Sequence, residues 1–170
     1  MANLIKGEAG RKLLDTNAAA ENGLDVWLVD DNAGFRAALK GLLNQDPGIR
    51  CSHDFSSGPL VLAALQLLAP PAVILLDVEM PGMSGLEALP AIKQLAPATA
   101  VMILTTFFDA ERRRAALAAG AGDFLVKARP VSQLVAAIRA VNAQPPAAQM
   151  SLPVAKEAGL IQKLLSRFLP

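Results

Sequence analysis

The sequence predicts an α/β fold in which a five-stranded parallel sheet is covered by helices on both faces. Five short apolar runs alternate along the chain with amphipathic stretches, which is the pattern of repeated strand–helix units. The third and fourth runs are apolar at every position, as is typical of parallel strands that are buried on both faces. We expect the doubly wound strand order 2-1-3-4-5, which makes the first and third strands neighbours.

The strands are predicted by apolar runs at residues 26–29, 49–55, 73–76, 101–104 and 124–126. Two helices are predicted by apolar residues at helical spacing, which are Phe35, Leu39, Leu42 and Leu43 for the first and Val131, Leu134, Val135 and Ile138 for the last. The second helix is predicted to begin at Pro59 and to end before Pro70, because proline is tolerated in a first turn and breaks a helix interior.

The third and fourth helices have irregular sequences. The third, near 85–96, contains Pro90, which would remove a hydrogen bond to Leu86 if the helix began at Gly85. We therefore expect a distorted first turn or a later start. The fourth helix, at about 109–119, presents mostly alanine to the sheet. Because alanine buries little area, we expect this helix to be the most weakly anchored of the five.

Charge and composition exclude several classes of protein. Sixteen Lys and Arg against 15 Asp and Glu leave no strong basic field, so we expect no direct binding to DNA. With one cysteine, Cys51, and one histidine, His53, the chain can form neither an internal disulfide nor a zinc site of these ligands. We expect a reduced, cytoplasmic protein in which Cys51 is an apolar filler and His53 a packing or surface residue.

No membrane span or export signal is predicted. The longest apolar stretch, 59–76, is interrupted by Pro70 and Pro71, which break a helix well short of the ~20 residues that a span needs. The N-terminus carries charged residues where a secretory signal has its apolar region.

Three segments lie outside the strand–helix repeats. Residues 1–23 have no strong period and are predicted to form a loosely ordered extension. Residues 143–153 contain adjacent prolines and are predicted to be a linker, whereas 154–170 have the spacing of a short basic amphipathic helix. That helix can pack on its own domain, form a homodimer seam, enter a partner's groove or touch an anionic membrane. We favour packing or partner contact, because its charge is a weak membrane signal.

Polar side chains follow four of the five predicted strands. Asp30 and Asp31 follow the first, Asp77 the third, Thr105 the fourth and Lys127 the fifth. In the expected strand order the three carboxylates meet at one sheet edge, where each ionised pair ~4 Å apart is repelled by about 4 kcal/mol at an effective dielectric of 20. Such a cluster requires a cation, and oxygen ligands at an open edge favour Mg²⁺.

Asp77 lies centrally in this predicted cluster and can act as a nucleophile toward phosphorus. Mg²⁺ and Lys127 would neutralise the transferring group, and Thr105 would donate to a phosphoryl oxygen. Singly, these residues have structural roles instead: Asp31 can cap a helix, Asp77 can start a turn, Thr105 can end a strand and Lys127 can be solvated. Their joint position at one sheet edge favours the functional interpretation.

These motifs resemble the receiver domain of two-component response regulators, which has a flavodoxin-like fold. The resemblance covers about residues 24–142 and rests on four segments, which are Leu28-Val29-Asp30-Asp31, Ile74 to Gly85 around Asp77, Ile103-Leu104-Thr105-Thr106 and Phe124-Leu125-Val126-Lys127. It implies that Asp77 accepts a phosphoryl group from a sensor histidine kinase or phosphotransfer protein. It also implies that Asp30, Asp31, Asp77 and the backbone carbonyl of Glu79 bind Mg²⁺.

The resemblance further implies how such a domain signals. Thr105 reorients toward the phosphoryl group, the aromatic side chain of Phe124 turns inward, and the face formed by the fourth helix, fifth strand and fifth helix changes its partner preference. Glu79 and Phe107 occupy positions that tune the lifetime of the phosphoryl group. Lys127-Ala128-Arg129-Pro130 is closest to receivers that precede a helix-turn-helix domain. Because only 28 residues follow Asn142 in this sequence, we expect no such output domain within it.

Two other functions are considered. A receiver-shaped binding module without phosphorylation is disfavoured by the complete residue set. An aspartyl-nucleophile phosphatase is disfavoured because the metal carboxylates precede the nucleophile, no acidic pair follows the fourth strand and no cap domain fits in the length. We expect self-phosphorylation and slow self-dephosphorylation only, without turnover of an external substrate.

Overall fold

The computed structural model describes residues 23–144, which form a five-stranded parallel sheet with five helices. The strands are β1 (Leu24–Val29), β2 (Ile49–Phe55), β3 (Val73–Asp77), β4 (Ala100–Thr105) and β5 (Asp123–Val126). The helices are α1 (Ala33–Leu43), α2 (Gly58–Leu67), α3 (Gly85–Leu95), α4 (Ala110–Ala118) and α5 (Val131–Asn142). The strand order β2-β1-β3-β4-β5 confirms the predicted topology. The extension, most of the linker and the C-terminal helix predicted above lie outside the described residues.

The sheet separates two apolar clusters, because successive residues of a strand point to opposite faces. Trp27 and Val29 of β1 belong to the cluster covered by α2, α3 and α4, whereas Val26 and Leu28 belong to the cluster covered by α1 and α5. β3 is buried at every position, as its unbroken apolar run predicts. Burial on both faces fixes the strand register, and thereby the side chains that reach the edge of the sheet.

Helix α3 begins at Gly85, so the later start suggested by Pro90 is wrong. A reciprocal capping box holds this start: the Glu87 backbone N–H donates to Ser84 Oγ, and the Ser84 backbone N–H donates to Glu87 Oε2 at 2.8 Å. Gly85 also packs against the carbonyl of Asp77 at a distance that no Cβ would allow. These interactions outweigh the one hydrogen bond that Pro90 removes.

Helix α4 is anchored as weakly as its sequence predicts. Among its residues only Ala116 is buried, whereas each of the other helices buries at least two residues. Its N-terminus is fixed by Asp109, whose side chain accepts hydrogen bonds from the backbone N–H groups of Glu111 and Arg112.

Two further sequence predictions, for Cys51 and for His53, are confirmed. Cys51 is buried in β2, and His53 is exposed on the same edge strand. Burial raises the pKa of the Cys51 thiol to about 11, which fits an apolar filler and not a reactive nucleophile. None of the helices within residues 23–144 is long and apolar enough to cross a membrane.

Candidate functional site

The parallel pairing of β1 and β3 brings Asp30 and Asp77 together. Val29 of β1 is paired with Leu76 of β3, and the residue that follows each of them is an aspartate. Both side chains are almost inaccessible, at 0% and 2% exposure, whereas Asp31 lies exposed at the rim. Each of the three offers a carboxylate oxygen within 4.8 Å of the others. The predicted acidic cluster is therefore present.

Lys127 reaches this cluster from the end of β5. Its ammonium group lies 2.7 Å from Asp30 Oδ2 and 3.0 Å from Asp77 Oδ2. The Nζ atom is also 4.8 Å from the centre of the Phe35 ring, within the range of a cation–π interaction. One lysine thus bridges the two buried carboxylates and is itself held against an aromatic side chain of α1.

The buried environment shifts the pKa values of Asp77 and Lys127. Burial raises the pKa of the Asp77 carboxyl; the Lys127 ammonium and the Glu79 backbone N–H act against this increase, and the charge of Asp30 adds to it. Burial lowers the pKa of Lys127, but hydrogen bonds and attraction to Asp30 and Asp77 outweigh burial and raise it. Lys127 therefore remains a cation at neutral pH.

The residues present fit a divalent cation. Asp77 Oδ1 is buried and has no hydrogen-bond partner among the described residues. Three carboxylates against the single ammonium of Lys127 leave an excess of two negative charges in this cluster. Such a charge is costly in a low-dielectric site, and an oxygen-only donor set with an exposed member suits Mg²⁺, which keeps several of its waters.

Thr105 lies where it is predicted, at the end of β4, but its hydroxyl is directed toward the following loop. Thr105 Oγ1 donates to the Phe107 carbonyl at 3.0 Å, and the residue is fully buried. Phe107 itself is exposed, with 72% of its surface accessible. Thr105 therefore fixes the path of the β4–α4 loop in this conformation.

Comparison with known proteins assigns this arrangement to a family. A family model described as "Response regulator receiver domain" matches residues 26–139, about two thirds of the chain. This chain belongs to the response regulator receiver family. It is 39% identical over 118 residues to the DNA-binding transcriptional regulator NtrC of Salmonella typhimurium, covering 69% of this chain and 24% of that relative. The receiver thus spans about a quarter of the length of this curated relative.

A second curated relative and two solved structures also match this chain. The receiver is 34% identical over 116 residues to a protein-glutamate methylesterase/protein-glutamine glutaminase of Paramagnetospirillum magneticum, covering 67% of this chain and 30% of that protein. Its fold matches the chemotaxis protein CheY4 of Vibrio cholerae with a TM-score of 0.63 at 30% identity, covering 70% of this chain and 98% of that structure. A LuxR-family DNA-binding response regulator from Staphylococcus aureus matches with a TM-score of 0.62, also at 30% identity and with the same coverage.

Phe124 of the receiver lies inward in this structure. It is 4% exposed and meets Phe108 edge-on, with ring centres 6.5 Å apart. The Phe108 side chain itself is largely exposed, as is that of Phe107. The aromatic contact therefore links β5 to the β4–α4 loop that the Thr105 hydroxyl holds.

Glu79 lies at the mouth of the receiver site. Its exposed side chain forms an ion pair with Arg112 of α4, with 3.4 Å between Oε1 and Nη1. Both residues line an open cleft of about 520 Å³ together with Asp31. The pair connects the loop after β3 to the first turn of α4.

Three charged residues near the receiver site are not predicted by the sequence patterns above. Arg112 contacts Glu79, and Arg36 and Asp54 form an ion pair beside Asp30. The available signals were weak, because Arg36 lies five residues after Asp31 and Asp54 is a charge near the end of a strand. Neither spacing distinguishes a site residue from an ordinary surface residue.

Proposed function

We propose that this receiver is a phosphorylation-dependent switch in which Asp77 accepts a phosphoryl group from the phosphohistidine of a sensor kinase or phosphotransfer protein. The observation that carries the proposal is the buried cluster of Asp30 and Asp77 bridged by Lys127, with the Asp77 Oδ1 atom free of partners among the described residues. A buried carboxylate with an unpaired oxygen beside a fixed cation is suited to attack an anionic phosphorus centre.

In the proposed step a carboxylate oxygen of Asp77 forms a bond to phosphorus while the N–P bond of the phosphohistidine breaks. The leaving imidazole keeps the electron pair of that bond and takes a proton, and Asp77 becomes an acyl phosphate. Lys127, 3.0 Å from Asp77 Oδ2, neutralises charge on the transferred group. The side chains of Asp30, Asp31 and Asp77 and the Glu79 carbonyl would hold Mg²⁺, which when bound supplies further positive charge at the phosphoryl oxygens.

The proposed switch begins at Thr105. Its hydroxyl must leave the Phe107 carbonyl before it can donate to a phosphoryl oxygen, because one hydroxyl hydrogen serves one acceptor. Loss of that bond frees the β4–α4 loop, and the contact between Phe108 and Phe124 transmits the change to β5. Weakly anchored α4 then responds, so we propose the α4–β5–α5 face as the output surface for a protein partner.

The proposed unit comprises residues 24–142, with output through protein contact and not through DNA. Asp77 takes one phosphoryl group from the donor, and the resulting acyl phosphate hydrolyses slowly. The receiver therefore does not turn over an external substrate. The single cysteine, Cys51, is free and buried, which supports a cytoplasmic location for this chemistry. Neither the unphosphorylated binding module nor the phosphatase has an observation in its favour.

Intact-protein mass tests the proposal. Full-length chain is incubated with acetyl phosphate, with and without Mg²⁺, alongside Asp77→Asn and the control Asp46→Asn, whose carboxylate pairs with Arg139 away from the site. We expect one added phosphoryl group in wild type and in Asp46→Asn, and none in Asp77→Asn or without Mg²⁺. If wild type accepts a phosphoryl group neither from acetyl phosphate nor from a phosphorylated kinase domain, the proposal is contradicted.

A further inference from the structure

Arg36 connects three elements behind the metal ligand Asp30. From the first turn of α1, its Nη1 donates to the main-chain carbonyl of Asp30 at 2.6 Å, and its Nε donates to Asp54 Oδ2 at 3.2 Å. The side chain is only 15% exposed. A planar guanidinium can make both bonds at once because its donors form a rigid fork.

The hydrogen bond from Arg36 adds to other contacts that hold Asp30 in place. The Asp30 backbone N–H donates to the Phe55 carbonyl at the end of β2, and Asp30 Oδ1 accepts from the Asn32 backbone N–H at 2.9 Å. Within residues 23–144, only Arg36 donates to the Asp30 carbonyl, which is the remaining main-chain group of that residue. Loss of this bond would leave the Asp30 carbonyl without its partner and so weaken the constraint on the start of the β1–α1 loop.

Lys40 provides a comparison within the same ion-pair network. Its Nζ lies 2.7 Å from Asp54 Oδ1, so Asp54 pairs with both Lys40 and Arg36. Lys40 makes no hydrogen bond to Asp30, whereas Arg36 does. Of these two cations, therefore, Arg36 contacts the backbone of Asp30 and Lys40 does not.

We propose that Arg36, anchored by Asp54, is a positioning residue that sets the Mg²⁺ affinity of the site through the main chain of Asp30. This inference rests on the proposed function, because it requires that the acidic cluster binds Mg²⁺. Groups that orient metal ligands contribute about 10- to 100-fold to metal affinity. A positioning role also has a distinctive sign: removing a nearby positive charge alone would strengthen binding of a cation, whereas loss of positioning weakens it.

Isothermal titration of Mg²⁺ into the full chain tests this role with wild type, Arg36→Met, Arg36→Lys and Lys40→Met. We expect the dissociation constant to rise about 10-fold in Arg36→Met, and to stay the same or fall slightly in Lys40→Met. Arg36→Lys keeps the charge but lacks the fork, so we expect it to resemble Arg36→Met. Melting temperatures of Arg36→Met and Lys40→Met are compared so that a general loss of stability is recognised.

The outcomes separate this inference from the function on which it rests. If wild type binds Mg²⁺ and Arg36→Met binds it as tightly as Lys40→Met, the positioning role is refuted and the proposed function stands. If wild type binds no Mg²⁺, both are overturned. Should Arg36→Met fail to fold, Asp54→Asn replaces it, since that variant removes the anchor and retains Arg36; unchanged affinity in Asp54→Asn then refutes the role of the anchored arginine.

Discussion

Asp54 shows how one carboxylate outside the acidic cluster couples stability to pH. Its hydrogen bond to Lys40 is the main reason that its pKa is lowered, with the charges of Lys40 and Arg36 adding to the effect and burial opposing it. Because the folded-state pKa lies below the unfolded one, the stabilisation is present above the ordinary pKa and is lost as the pH falls through the lowered pKa.

We therefore expect Asp54→Asn to reduce the free energy of unfolding at pH 7 by about 0.5–1 kcal/mol. The value is modest because the side chain is 31% exposed and its ion pairs are partly screened by solvent. Urea denaturation at several pH values measures this difference, which should vanish at pH values below the lowered pKa. A difference that stays constant with pH would show that the substitution acts through packing.

The sequence predicts the principal site residues because each lies at the C-terminal end of a strand or directly after it. Asp30, Asp77 and Lys127 reach the sheet edge through strand register alone, and register follows from the apolar pattern. The hydroxyl of Thr105 and the guanidinium of Arg36 have partners in loops and on neighbouring elements. Those contacts depend on loop path and side-chain rotamer, which no periodic pattern encodes.

At the scale of elements, the start of α3 depends on its capping residues. Ser84→Ala removes the side chain that accepts from the Glu87 N–H, and we expect it to cost about 1 kcal/mol of stability. Ser57→Ala is the matched control, because Ser57 occupies the N-cap of α2 without a side-chain capping bond. Thermal unfolding of the two variants measures the contrast; equal destabilisation would contradict a specific role for the α3 cap.

The ten elements are all predicted, but their boundaries depend on local chemistry. Pro90 alone suggests a later start for α3, and only the Ser84–Glu87 capping box together with the close approach of Gly85 to Asp77 explains why the helix begins earlier. A proline rule considers one hydrogen bond, whereas the observed start reflects several interactions. The alanine-rich α4, by contrast, behaves as its composition predicts, because burial of apolar area is nearly additive.

The weak anchoring of α4 predicts its dynamics. We expect its backbone amides to exchange with solvent hydrogen faster than those of α5, which buries four apolar residues. Native-state hydrogen exchange of the unphosphorylated chain, followed by mass spectrometry of peptides from both helices, measures this. Equal protection of both helices would contradict a low-energy opening of α4 and thereby weaken its proposed part in the switch.

At the scale of the whole molecule, we expect the acidic cluster to make stability depend on Mg²⁺. The excess of two negative charges among Asp30, Asp31, Asp77 and Lys127 destabilises the folded chain without a cation. A ligand that binds only the folded state stabilises it by RT ln(1 + [L]/Kd), which is about 1.4 kcal/mol at ten times Kd. We expect the melting temperature to rise by a few degrees with MgCl₂ and to keep rising with the logarithm of its concentration.

We expect the stability of the Asp77→Asn variant to respond to Mg²⁺ differently from that of wild type. Without Mg²⁺ the variant should be more stable than wild type, because it removes one of two buried carboxylates that share a single ammonium. With Mg²⁺ the difference should shrink or reverse, since the variant loses a ligand. Differential scanning calorimetry with MgCl₂, and with NaCl at equal ionic strength, separates binding from screening. Equal shifts in both salts, or in both proteins, would show that the cluster does not bind Mg²⁺ specifically.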